Sequence, residues 1–137
     1  MIYTRKRLVG DQIIKKAMLI VGSAQSTVCM TMGGKEEIET PTKKKFFRLV
    51  NQKLRDGIKV TRIGFGSAKS FEQLRRKVHL KHSKYTFRRR GLSRYRRMLL
   101  VDDSKLMFRK AGRVFYSEGL GDIAKYRQYF ERYLPTE

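Results

Sequence analysis

The sequence predicts an α/β domain, with α+β as the looser description, built on a central mixed β-sheet flanked by about four helices. Three observations lead there. Helical and extended periodicities alternate in the order helix, strand, helix, strand, helix, strands, helix. Turn residues punctuate the changes, with Gly57 standing between an amphipathic run and a β-branched one. The 137 residues are 40% hydrophobic and include 7 Tyr and 8 Phe, enough for one core, so residues 1–137 are expected to form a single domain.

Leu8 to Ala24 reads as the first helix, because Val9, Ile13, Ala17, Ile20, Val21 and Ala24 recur at three- and four-residue steps. Thr27 to Met32, short and β-branched, reads as a strand ending at Gly33-Gly34, with Cys29 as a small buried residue on it. Thr40-Pro41 is a helix start, followed by Phe46, Phe47, Val50 and Leu54 on one face and by Gly57 as its left-handed end. Ile58 to Phe65 is then a strand. Ser70 and Gln73 have capping-box spacing ahead of Phe71, Leu74 and Val78, a short helix. Tyr85–Arg90, Tyr95–Asp102, Lys105–Phe108 and Val114–Tyr116 read as strands, with turns at Gly91, Asp102-Asp103-Ser104 and Ala111-Gly112. A last helix, from about Asp122 to Leu134, buries Ile123, Tyr126 and Phe130 before Pro135.

Charge narrows the function classes. Thirty-three Lys and Arg against 12 Asp and Glu give a formal charge of +21, which opposes compaction unless a polyanion neutralises it. No run approaches the roughly 20 apolar residues of a membrane span. The basic start of the chain lacks a continuous apolar stretch behind it, so a cytoplasmic location is expected. A single cysteine excludes an internal disulfide and a multi-thiolate metal site.

The charge concentrates between residues 75 and 97, where 11 cations stand without one acid: Arg75, Arg76, Lys77, Lys81, Lys84, Arg88, Arg89, Arg90, Arg94, Arg96 and Arg97. Solvated faces normally mix signs, so this segment is the expected nucleic-acid-binding surface, DNA or RNA, with Arg suited to bidentate grip on phosphate. On a strand, Tyr85, Phe87 and Arg89 would share one face and Thr86, Arg88 and Arg90 the other, one for the core and one for phosphate. Arg5-Lys6-Arg7 and Lys43-Lys44-Lys45 are smaller clusters that could extend the footprint. His79 and His82 lack an acidic companion for a metal, and Gly64-Phe65-Gly66 and Gly33-Gly34 read as turns, not nucleotide loops. No cofactor or metal is expected.

Tyr95-Arg-Arg-Met-Leu-Leu-Val-Asp-Asp-Ser-Lys-Leu-Met-Phe108 resembles the core hairpin of the phospholipase D-like superfamily, whose half-site pattern is His-x-Lys-x4-Asp. Aligning the acid on Asp102 puts Tyr95 at the His position and Arg97 at the Lys position. The order of elements around the hairpin is similar to one phospholipase D-like half over nearly the whole chain. The resemblance implies a catalytically degenerate half, of the kind used as effector domains in archaeal TrmB-type regulators, and pairing about a two-fold into a homodimer. Tyr is a poor unactivated nucleophile near neutral pH, and Asp102 has a turn-capping role open to it, so the expectation is binding and not catalysis. Three alternatives remain: an accessory ribosomal or other structural RNA-binding protein, an effector-sensing domain for a phosphorylated small molecule, and a divergent phosphodiesterase.

Overall fold

The computed structural model describes residues 5–33, 43–71 and 83–134. Their seven strands form one mixed sheet. In chain order the elements are β1 (Lys6–Leu8), α1 (Gln12–Gly22), β2 (Thr27–Gly33), α2 (Lys43–Arg55), β3 (Lys59–Phe65), a 3₁₀ turn (Lys69–Phe71), β4 (Tyr85–Arg90), β5 (Met98–Val101), β6 (Lys105–Lys110), β7 (Arg113–Ser117) and α3 (Leu120–Tyr133). The spatial strand order is β1-β7-β6-β5-β2-β3-β4. Strands β2, β3 and β4 run parallel, while β5, β6, β7 and β1 are joined by antiparallel pairings. Helices α1 and α2 cover one face and α3 the other.

Each face follows from alternation along the strands. Val28, Met30, Val60, Leu99 and Val101 meet Ile20, Val21, Val50 and Leu54 of α1 and α2. Ile63, Phe65, Met98, Leu100, Leu106 and Phe108 meet Ile123, Tyr126, Tyr129 and Phe130 of α3. In the described residues there are three α-helices where the sequence suggested about four; the run from Ser70 to Val78 lies outside them beyond the 3₁₀ turn, and Thr40-Pro41 lies outside as well.

The first helix starts four residues later than the periodicity suggested, at Gln12, since Gly10 turns the chain at φ +56° and the Val9 carbonyl accepts from the Gln12 N–H. Leu8 satisfies a strand as well as a helix, and its segment pairs with β7. At the far end of α2, Gly57 takes φ +87°; its N–H reaches the Leu54 carbonyl and that of Ile58 the Lys53 carbonyl, closing the helix as the sequence predicted.

Gly64 is not a turn residue. It sits inside β3, opposite Arg89, and the rings of Phe71 and Phe87 cross above it, 5.6 Å apart between centroids. A Cβ there would lie 2.8 Å from the tip of either ring. Gly64→Ala is therefore expected to destabilise the fold by about 1–3 kcal/mol through overpacking. Chemical denaturation measures it, and an unchanged midpoint would show that the rings yield freely.

Candidate nucleic-acid interface

The mixed sheet has two ends of different electrical character. The parallel strands β2, β3 and β4 finish at one end, the upper edge, where β5 and β7 begin and β6 and β1 finish. Arg90 reaches this edge at the end of β4, Arg94, Arg96 and Arg97 precede β5, and Arg109, Lys110 and Arg113 surround the β6–β7 hairpin. The last three were not assigned to the binding surface by the sequence. Antiparallel register brings them there, and the Arg109 N–H bonds to the Arg97 carbonyl at 3.1 Å. The hairpin closes on Ala111 and Gly112, both in the left-handed region at φ +53° and +75°, so the chain reverses in two residues between Lys110 and Arg113.

Five of the seven described acids collect at the other end, Asp11 and Glu131 being the exceptions. Among the described residues, Asp56, Asp102, Asp103, Glu118 and Asp122 lie at the lower edge or in the loops and helix turn next to it. Asp11, near the upper edge, is paired with Lys15 at 3.0 Å, an ion pair that lowers its pKa.

Of the sequence-predicted cations, Arg75, Arg76, Lys77 and Lys81 lie outside the described residues. Lys84 is separated from the rest, because it precedes β4 at the lower edge, with Arg90 at the strand's far end. The alternation predicted for β4 holds. Tyr85 and Phe87 join the core under α1 and α2, while Thr86, Arg88 and Arg90 pair with Thr61, Ile63 and Phe65 on the α3 side. Arg89 is exposed and its guanidinium donates to the Gly66 carbonyl at 2.9 Å.

Arg5, from the first cluster, is occupied elsewhere. Its guanidinium grips Asp122 through two hydrogen bonds of 3.0 and 2.8 Å and lies 5.1 Å over the Phe108 ring, tying the start of β1 to α3. Of the second cluster, only the Lys45 side chain is described, and it is exposed on α2. Sequence reasoning gave no role to Arg62, which is fully buried in β3 beneath the Phe47 ring, 5.5 Å away, with Nη2 3.6 Å from the Met32 sulfur. Its place in a β-branched run disguised it.

The loop carrying Arg94, Arg96 and Arg97 is fixed by side chains. The Tyr129 hydroxyl donates to the Arg94 carbonyl and accepts from the Arg96 N–H, both at 2.8 Å. Burial pushes the Tyr129 pKa up to about 12 against the opposing hydrogen bond from Arg96, so the hydroxyl keeps the proton that lets it serve both groups. The Thr31 hydroxyl donates to the Arg96 carbonyl and accepts from the Met98 N–H. These side-chain bonds replace the strand ladder, which is why β5 begins at Met98 and not at Tyr95. Arg94 takes φ +67°, a conformation costing a non-glycine residue of order 1 kcal/mol.

Tyr95 and Arg97 do not converge. Tyr95 packs on Phe65, 5.5 Å between centroids, on the α3 side. Arg97 borders a cavity of about 360 Å³ on the α1 side, whose lining includes Ile13, Ala17, Leu99 and Met107 and whose second cation is Arg109. Asp102 stands beyond the opposite end of β5, about 17 Å from Arg97 for five extended steps. It does cap, but not its own turn. Its carboxylate accepts from the N–H groups of Gln25, Ser26 and Thr27 and from the Ser26 hydroxyl, all within 2.8–3.2 Å. Cys29 is half-buried on β2, and burial raises its thiol to about 11, which keeps it protonated.

No family model and no curated protein matches the sequence. Solved structures do match. TrmBL2, an archaeal chromatin protein with a novel mode of DNA binding, superposes with a TM-score of 0.77 at 12% identity over 98% of this chain and 51% of TrmBL2. NucT from Helicobacter pylori gives 0.67 at 14% identity, covering 97% and 95% of the two chains. Nuc from Salmonella typhimurium, a phospholipase D family member, gives 0.66 at 9% identity over 96% and 93%. The fold is phospholipase D-like. This chain spans about half the length of TrmBL2 and nearly all of the two Nuc proteins. In this sheet the Asp102 carboxylate holds the entry to β2.

The Asp102 contacts predict a pH signature. Burial alone would raise its pKa, but the hydrogen bonds from Thr27, Gln25 and Ser26 together lower it. A lowered folded pKa contributes stability that is present above the unfolded value and lost as pH falls through the folded one. Asp102→Asn is expected to cost about 0.5–1.5 kcal/mol at neutral pH by weakening the bonds from these backbone donors. The gap to wild type should close on acidification below the usual carboxylate range. Denaturant titrations across that range test this, and a gap independent of pH would contradict it.

Proposed function

We propose that this chain is a non-catalytic nucleic-acid-binding protein that grips the phosphate backbone along the upper edge of its sheet. The observation that carries the reading is the segregation of charge. Cations from β4, the 94–97 loop and the β6–β7 hairpin line one edge, while five of the seven described acids sit at or beside the other. From β4 to β7 there are five inter-strand steps, so the row extends about 24 Å at the usual strand spacing. Laid along a nucleic-acid axis, that length matches about seven phosphates of one strand. The likeness to TrmBL2, itself a DNA-binding chromatin protein, is consistent with this use of the fold.

The non-catalytic part of the reading is supported by the separation of Tyr95, Arg97 and Asp102 onto one face, the other face and the far end of the strand. A phosphorus centre could not meet all three at once. Contacts of this kind position a backbone and carry no sequence information, so affinity should depend more on salt than on sequence. DNA and RNA would both satisfy it.

Two measurements test the proposal. Log affinity for a short duplex should fall linearly with log salt, and replacing Lys110 and Arg113 by Ala should reduce the slope by about 1–2, at roughly 0.9 for each phosphate no longer neutralised. Replacing Lys59 and Lys84, at the lower edge, should leave it nearly unchanged. Equal losses from both pairs would place binding elsewhere. In a nicking assay with and without divalent metal no strand cleavage is expected, and cleavage abolished by Asp102→Ala would overturn the non-catalytic assignment.

A further inference from the structure

Between the 94–96 loop and α3 lies a cleft of about 330 Å³, lined by Arg94, Tyr95 and Arg96 on one side and by Lys125, Gln128, Tyr129, Arg132 and Tyr133 on the other. The five helical residues follow the i, i+3, i+4 spacing that places them on one face of α3. Four of the lining residues are cations and none is an acid. The floor is rigid and aromatic. Tyr129 stacks near Phe65 with centroids 6.3 Å apart, and Tyr133 closes the group at 5.2 Å from Tyr129 and 5.6 Å from Phe65. The guanidinium of Arg96 lies at the cleft wall, 5.5 Å over the Tyr129 ring.

We propose that this cleft is a phosphate-monoester site. The edge and the cleft differ in shape and in charge density. A row of cations along a sheet edge suits a continuous chain of singly charged diesters, whereas four cations converging on a concavity suit one compact dianion with three free oxygens. The backbone is organised for it in advance, since the Tyr129 hydroxyl holds both the Arg94 carbonyl and the Arg96 N–H. Arg94, at φ +67°, lines the cleft beside them. The C-terminal end of α3 opposes an anion through the helix dipole, but that effect is confined to the last turn and is weaker than several charge-assisted hydrogen bonds. The volume lies at the small end of ligand pockets, fitting a mononucleotide-sized group. The monoester can belong to a free phosphorylated small molecule or to the end of a nucleic acid. The site shares Arg94 and Arg96 with the upper edge and adds Lys125 and Arg132 of α3, whereas the backbone grip along the edge needs no terminal phosphate.

The test uses the full chain at fixed salt, with two probe pairs: adenosine 5′-monophosphate against adenosine, and a short oligonucleotide carrying a 5′- or 3′-phosphate against its hydroxyl-ended counterpart. Phosphorylated probes are expected to bind about tenfold more tightly, the scale of one or two charge-assisted contacts. Lys125→Gln with Arg132→Gln, confirmed as folded by circular dichroism, should erase that preference. Lys110→Gln with Arg113→Gln should weaken oligonucleotide binding but keep it. A preference seen only with the mononucleotide assigns the site to a small molecule, and one seen only with the oligonucleotide assigns it to nucleic-acid ends. Equal binding within both pairs overturns the proposal, as does a preference that survives in the cleft variant. Loss of binding by the hydroxyl-ended oligonucleotide would instead count against the edge, whatever the cleft does. Should the double cleft variant fail to fold, Arg132→Gln alone serves, with at least a threefold fall in the preference expected and an unchanged preference overturning the proposal.

Discussion

How β5 is held at its two ends decides where the cations go. At its lower end the Asp102 carboxylate gathers three successive amides at the entry to β2, and the Asp102 N–H returns a bond to the Thr27 carbonyl at 2.9 Å. At its upper end Thr31 takes over from the strand ladder, whose last partners are Met30 and Leu99. These contacts fix the one antiparallel junction in an otherwise parallel half-sheet. Strand side chains have a period of two, so a slip of one residue would turn Leu99 and Val101 to the wrong face and carry Arg97 with them. The cores on both faces therefore enforce the same register as the polar contacts at the ends.

A chain of charge +21 folds only if its cations are kept apart or matched, and the structure does both. At the lower edge, acids and cations mix, as in the Arg5–Asp122 pair, to whose carboxylate the Ser117 hydroxyl also donates. Aromatic rings also take cations: Lys16 stands 4.1 Å over Tyr116, and the same Arg5 lies over Phe108. At the upper edge Arg96 stands over Tyr129 in the same way, and Lys15 pairs with Asp11. A polyanion there would relieve repulsion that the fold otherwise tolerates, so the same residues that cost stability in isolation supply affinity on binding.

The sequence disclosed what local chemistry determines. Gly57 ends a helix because the chain must turn left-handed, β2 and β3 are β-branched, and the alternation from Tyr85 to Arg90 splits core from surface, all readable without a partner strand. What stayed hidden is what pairing creates. Lys6 to Leu8 becomes a strand only because β7 offers an edge. Asp102 looked like a turn cap because its true partners lie 75–77 residues away. Lys84 and Arg90 are close in sequence yet stand at opposite ends of β4, while Arg109, Lys110 and Arg113 lie outside the dense basic segment in sequence and adjoin Arg97 in space. Charge density along a sequence marks a basic protein, but strand direction decides which cations share a surface.

The same logic bears on the segment that precedes β5. A catalytic pair spaced two residues apart works only if both side chains leave the same face of a regular strand, aimed at one reacting atom. Here the stretch before Met98 is not a strand. Arg94 turns left-handed, Tyr129 holds the backbone on both sides of Tyr95, and the Tyr95 ring settles on Phe65 while Arg97 faces the α1 side. An imidazole and an amine placed at these positions would thus not by themselves be brought together. The loop's geometry is set by Tyr129 and Thr31, whose hydroxyls satisfy backbone groups that a longer β5 would have paired. Asp102 is exempt because its role lies at the far end of the strand and concerns the join between β5 and β2. The Asp102 carboxylate thus has a structural role at that join that does not depend on any nucleophile.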